Sequence, residues 1–523
     1  MTKIFFAATS MLALTLAAPT LVKAADTPAI ALSVDTTQAG ARIDRHIFGQ
    51  FAEHLGTGVY GGIWVGPDSP IPNTRGIRND VVAALKAIKV PDVRWPGGCY
   101  ADNYHWRDGI GPKRNARVNT SWGGVIDSND FGTEEYMDFL DQIGADAYVS
   151  VNVGSGTVKE AADWTEYMTA SQPTALEQER AQNGHPAPYK VPFLGIGNES
   201  WDCGGLMTPE EYSDQMRLYG RFVNNFNADA PMQKIAVGPG GDDTTWTDTV
   251  MKTWKERHGW SFDISGMSLH SYTVFEGWPP HMAATGFDEQ GYANVLGETL
   301  KMGPLIDKQS AVMDKYDPDK KVSLVVDEWG AWYAKTPGSH DGFLAQQNSQ
   351  RDAVLAALNL NIFARRADRV RMANIAQMIN VLQAMILTDG PKMVLTPTYH
   401  VFHMYVPFQD ATFIPVKYDA GSYTKGAVTL PRLDAIAAKG TDGKIWLSLT
   451  NLDPNQPLEV DASALGFKAK SATGQTLTAP KLDTVNDFDH PDAVTPKPIS
   501  ATGKNGALVL KLPPESVTVV ELD

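Results

Sequence analysis

Two glutamates each close an apolar run. Val191–Ile196 leads through Gly197 and Asn198 to Glu199, and Val322–Val326 leads through Asp327 to Glu328. A tryptophan follows each, at Trp201 and Trp329. Two carboxylates held at the ends of buried strands are the minimum equipment for glycoside hydrolysis, one as acid and base, the other as nucleophile. Further reactive side chains sit in similar places. "FAEH" carries Glu53 and His54, "SLHSY" carries His270 and Tyr272, and the Gly-rich "RWPGGCYADNYHWRDGIGP" carries Cys99 and Trp106.

Each motif has a structural reading beside the chemical one. A single strand-end glutamate often caps a helix or pairs with an arginine. Two in the same context favour chemistry, while Glu53 keeps both readings. His54 and His270 read as hydrogen-bonded core histidines, because no H-x-x-x-H spacing marks a metal site. "GPGGDD" at 238–243 lacks the Lys-Ser/Thr of a phosphate loop and reads as a strand-end turn. Most of the 13 tryptophans belong to the core, and a few suit the wall of a sugar pocket.

Positioning such groups requires a rigid ring of strands. Eight short apolar runs alternate with helical segments between about 46 and 410: 47–53, 93–96, 147–154, 191–199, 234–238, 264–270, 322–329 and 371–377. They lack polar alternation, as strands buried on both faces do. Helices are predicted from Thr133 as cap to a stop at Gly144, from the capping box Thr208 to Glu211, and over 349–365. The pattern predicts an α/β fold, a (β/α)8 TIM barrel with its site at the C-terminal strand ends. A doubly wound sheet is the alternative, but no Gly-rich fingerprint follows the first strand. From 411 to 523 strands alternate without helices, predicting an antiparallel β-sandwich. Residues 25–45 hold a strand that is expected to join that sandwich, and the run 480–498 reads as a surface loop.

The bulk properties narrow the function. With 43% hydrophobic and 20% charged residues in 523, the chain is globular and long enough for more than one core. Residues 1–24 combine Lys3, an apolar stretch and a small-x-small site, the pattern of a secretory signal, so an exported, periplasmic or secreted protein is expected. Losing Lys3 and Lys23 with that segment takes the formal charge from −15 to −17. Such acidity argues against nucleic acid and anionic membranes as partners and suits a neutral substrate. Cys99 and Cys203 have no zinc-ligand spacing, and the sequence leaves open whether they are bonded.

The motifs "FGQFAEHLGTGVYGGIWVG", "RWPGGCYADNYHWRDGIGP", "GIGNESWDCGG", "SLHSYT", "DEWGAWY" and "MANIAQMINVLQAMILTDG" occur in one order over nearly the whole chain. Together they resemble the retaining α-L-arabinofuranosidases of glycoside hydrolase family 51. The resemblance implies Glu199 as acid/base, Glu328 as nucleophile, and Asn198 on the sugar 2-hydroxyl. It implies Tyr272 bonded to the nucleophile, Glu53 and Gln383 on sugar hydroxyls, and Trp332 with Trp106 as stacking walls. Cys99 stands where some relatives place an asparagine that contacts the furanose. The barrel-plus-sandwich architecture, a homo-oligomer (hexameric) and the absence of metal or organic cofactors are also implied. The implied activity is exo-hydrolysis of arabinose-containing oligo- or polysaccharides. The alternatives are a β-xylosidase or endo-β-glucanase on the same scaffold, a carbohydrate-binding protein that has lost its chemistry, or a metal-dependent hydrolase.

Overall fold

Eight parallel strands close into a barrel in chain order. In the computed structural model, which describes residues 1, 29–259, 262–465, 469–503 and 508–523, these strands are Gly49–Phe51, Asp92–Trp95, Asp146–Val151, Phe193–Ile196, Gln233–Ala236, Gly266–Thr273, Ser323–Ala331 and Val370–Ile375. The ring runs from Gln50 paired with Val93 round to Asn374 paired with Gly49. Burial on both faces explains the unbroken apolar runs: the second, fourth and seventh strands are buried at every position. Tyr148, Phe193, Ile235, Val325 and Met372, from five different strands, form a cluster separate from the larger layer between strands and helices.

The helices follow their local signals. Thr208 caps Pro209–Phe222, and Glu211 returns the bond to the Thr208 amide at 2.8 Å. Thr133–Ile143 turns Tyr136, Phe139, Leu140 and Ile143 inward and stops at Gly144, whose φ of +77° is left-handed. Thr133 is the first helical residue rather than the cap, and its hydroxyl accepts from Trp164 Nε1 at 3.0 Å. Gln350–Ala364 is buried on all sides because the barrel and the sandwich cover it together. Asn361 donates from it to Asp434 at 2.7 Å, and Gln350 to the Glu515 carbonyl at 2.9 Å.

The sandwich has a four-stranded and a six-stranded sheet. Ile30–Asp35 lies inside the first, parallel to Leu458–Leu465 and antiparallel to Val416–Tyr418. Leu32, Val34, Leu447, Leu449, Leu510 and Val520 meet in its core. The run 480–498 is the expected surface loop up to the strand that begins at Lys497, and two buried side chains pin it down. Asn486 and Val494 within it are fully buried, and Asn486 donates to the carbonyls of Leu395 and Val494. Among the described residues no helix is long and apolar enough to cross a membrane.

The expected strand ends shift at two functional positions. The first strand ends at Phe51 and the fourth at Ile196, so Glu53 and Glu199 stand in the turns beyond them. The chain leaves the sheet at Gly197, with φ +86°. Because Phe193 fills the barrel interior, Phe193→Ala is expected to lower stability by about 3–5 kcal/mol. The midpoint of denaturant unfolding measures it.

Candidate active site

The second strand carries a charge where its neighbours are apolar. Arg94 is buried, and its guanidinium lies 4.7 Å from the centre of the Phe51 ring. It donates to Glu328 Oε1 at 2.7 Å and to Asn198 Oδ1 at 2.5 Å, and its Nε lies 3.4 Å from Asp327 Oδ2. Burial would weaken the cation, but Asp327 and Glu328 hold its pKa above the ordinary value. Tyr272 donates to the other oxygen of Glu328 at 2.6 Å. Glu328 therefore has a donor on each oxygen, which fixes the direction of its carboxyl.

A register shift between Ser268 and His270 sets His270 opposite Glu328. His270 Nδ1 lies 2.9 Å from Glu199 Oε1 and 3.6 Å from Glu328 Oε1, and Nε2 lies 3.3 Å from Asp327 Oδ1. Burial disfavours the imidazolium, but Glu328 and Asp327 outweigh it and lift the pKa to about 10. Carboxyl oxygens of Glu199 and Glu328 and a ring nitrogen of His270 all lie within 4.8 Å of one another. Glu199 has a φ of +39°, a left-handed conformation that side chains rarely adopt, which turns it out of the strand direction into the pocket. Burial raises its pKa, His270 opposes that rise, and the Glu328 charge adds to it.

Glu53 is tied down. Its Oε1 accepts from the amides of Gly98 and Tyr100 and from Trp122 Nε1, at 2.8–3.0 Å. Gln377 donates to Oε2 at 3.0 Å. Burial and the Glu328 charge raise Glu53 to about 7, against these donors. The glycines of "PGG" make the approach possible. A Cβ on Gly97 would stand 2.7 Å from Glu53 Cγ, and one on Gly98 would stand 2.8 Å from Glu328 Oε1.

These carboxyls open on a cavity of about 420 Å³ at the C-terminal ends of the strands. Glu53, Cys99, Glu199, Tyr272, Glu328 and Trp332 line it, as the sequence groups them. Asn198 lies just beneath, held by Arg94. Trp332 meets Tyr272 edge-on at 5.0 Å. Two of the expected residues are elsewhere. Trp106 is buried beside Trp164 and Tyr167 and donates to the Glu160 carbonyl. Trp122, Trp201 and Trp278 supply the wall instead. Gln383 is fully buried, bonded to Ala331, Asp352 and Thr398, and Gln377 faces the pocket in its place. His54 is a core histidine: Trp95 donates to its Nε2 at 3.1 Å, so its Nδ1 carries the proton toward Asp127 at 2.7 Å. Cys99 and Cys203 are joined as a disulfide with their Cα atoms 5.5 Å apart, so the pocket presents no Cys99 thiol.

Sequence comparison agrees with the geometry. Residues 84–271 match the α-L-arabinofuranosidase 1 domain and residues 327–516 the α-L-arabinofuranosidase C-terminal domain. An intracellular exo-α-L-arabinofuranosidase of Bacteroides ovatus is 45% identical over 94% of this chain and 95% of its own length. The crystal structure of a GH51 arabinofuranosidase from Xanthomonas axonopodis pv. citri is 51% identical, covers 95% of this chain and 100% of its own, and superposes with a TM-score of 0.92. An α-L-arabinofuranosidase from Thermotoga maritima, solved with arabinose, is 31% identical over 94% and 99% of the two chains, with a TM-score of 0.83. The Bacteroides relative also overturns the expectation of export, since it is an intracellular enzyme. That expectation rested on the composition of residues 1–24 alone, which lie outside the described residues apart from Met1. The chain is a glycoside hydrolase and belongs to the α-L-arabinofuranosidases of family 51.

Proposed function

We propose that the protein is a retaining, exo-acting α-L-arabinofuranosidase. It removes terminal non-reducing α-L-arabinofuranosyl residues from arabinan- or arabinoxylan-type saccharides through a covalent glycosyl-enzyme. The observation that carries retention is the approach of Glu199 and Glu328, whose oxygens come within 4.8 Å. Retaining glycosidases hold their carboxyls about 5–5.5 Å apart, and inverting ones about 6.5–9.5 Å. The alternative of a β-xylosidase or endo-β-glucanase is not favoured, because both domain models and the relatives spanning the chain are arabinofuranosidases.

Glu328, aimed by Tyr272 and Arg94, attacks the anomeric carbon while Glu199 gives its proton to the departing oxygen. The ester at Glu328 then carries no charge, so the push that raised the pKa of Glu199 falls away. Glu199, now a carboxylate, takes a proton from water, which releases the sugar. Glu53, with Gln377 beside it, accepts from sugar hydroxyls, and Asn198 meets the 2-hydroxyl. Trp332 and Trp122 wall a cavity whose volume suits one furanose and the start of its aglycone.

Glu328→Ala is expected to reduce release of nitrophenol from the arabinofuranoside to background. Glu199→Ala should lose about 10²–10⁴-fold on an unactivated oligosaccharide and less on a nitrophenyl glycoside. Added azide should then yield an arabinosyl azide of retained anomeric configuration, resolved by NMR; an inverted azide would overturn the mechanism. In the wild type, kcat/KM should fall as pH rises through the raised pKa of Glu199, because only the protonated form serves as acid. Tyr272→Phe removes one donor to a charged oxygen, worth about 1.5–3 kcal/mol, and should lower kcat roughly 10- to 100-fold.

A further inference from the structure

The two oxygens of Glu199 keep different company. Oε1 faces His270 Nδ1 at 2.9 Å. With Asp327 at its other nitrogen, the doubly protonated ring commits Oε1 as an acceptor. The proton delivered to the leaving oxygen is therefore carried on Oε2. Beside Oε2 stand the sulfurs of the bridge, Cys203 Sγ at 3.4 Å and Cys99 Sγ at 3.8 Å. A disulfide has no hydrogen to donate, whereas a thiol is a weak donor.

We propose that the Cys99–Cys203 disulfide is a positioning element for the acid/base. It ties the turn after the second strand to the turn that bears Glu199, and it gives Oε2 a neighbour that cannot bond to its charged form. The inference rests on Glu199 being the acid/base. Breaking the bridge puts S–H donors beside Oε2 and frees the turn, and both changes favour the carboxylate. The charged and titratable groups that face Glu199 stay the same: His270 and Tyr272 from the sixth strand, Asp327 and Glu328 from the seventh, and Arg94 from the second. Glu53 stands across the pocket, Asp202 lies in the same turn, and Asp102 accepts from the Asn198 amide.

The test uses the folded wild-type protein and dithiothreitol. Two electrons from the dithiol break the Cys99–Cys203 bond, each sulfur takes a proton, and the reagent leaves as its cyclic disulfide. Thiol titration of the denatured chain should give no free thiol before reduction and two after. The alkaline limb of kcat/KM on an arabino-oligosaccharide should move to lower pH by roughly half a unit or more. The oligosaccharide should slow more than the nitrophenyl glycoside, which needs less help from an acid. Cys99→Ser/Cys203→Ser should move the limb the same way, since hydroxyls donate more strongly than thiols. Superimposable pH profiles for the bridged, reduced and serine forms would overturn the inference. So would a fall in thermal stability with the limb unmoved, or two free thiols in the fully active protein. Failure of the acid/base assignment itself shows separately, as a Glu199→Ala variant that keeps its oligosaccharide activity.

Discussion

Arg94 is the interaction on which the pocket depends. Glu328 and Asp327 are neighbours on one strand and both are buried, and Glu199 and Glu53 face the same space. Carboxylates gathered out of water repel one another and lose hydration unless cations and donors replace it. Arg94 touches Glu328 and Asp327 and also fixes Asn198 next to Glu199. His270 supplies the second positive charge, between Glu199 and Asp327. Phe51 and Tyr148 pack against the guanidinium, and Tyr148 donates its hydroxyl to Asp327 at 2.7 Å. A barrel suits this arrangement, because closing the ring brings a buried arginine on the second strand and two carboxylates on the seventh together without flexible linkers.

The turns then decide where each carboxyl points. Glu328 is aimed from within a strand, whereas Glu53 and Glu199 are aimed from beyond strand ends. Gly197 and the positive φ of Glu199 turn the chain at once, and the glycine pair at 97 and 98 lets the neighbouring turn close over Glu53 and Glu328. Strain of this kind persists where the surroundings over-determine it. Here the Asp102 carboxylate accepts from the amides of Val153, Gly154 and Asn198, pinning the base of the turn.

The strands were legible because burial on both faces writes an unbroken apolar run, and Glu199 and Glu328 were legible because a carboxylate interrupts it. Arg94 left the same kind of signal, a charge inside a buried strand, and it can be read alongside the glutamates. Gln377 and Gln383 cannot be told apart so simply. They lie six residues apart in one irregular segment, and only tertiary hydrogen bonds send the first to Glu53 and the second to Asp352 and Thr398. Trp106 and Trp122 pose the same problem. Both follow the second strand, but Trp106 folds under the loop onto Trp164 while Trp122 reaches over it to Glu53. Loop residues take their direction from what they meet, and a loop sequence has no period to reveal it.

Burial alone does not divide the labour among the three carboxyls at the mouth, since it pushes both Glu53 and Glu199 toward the protonated form. The donors make the difference. Glu53 has four, three on Oε1 and one on Oε2, which fix its carboxyl in the wall of the pocket and leave lone-pair room on Oε2. Glu328 has one on each oxygen, enough to hold its direction while leaving lone pairs open to the pocket. Glu199 has His270 on one side and sulfur on the other. In the proposed mechanism Glu199 gives up a proton and then takes one back, which calls for an oxygen with no standing donor, and Oε2 is the oxygen that the donors leave free.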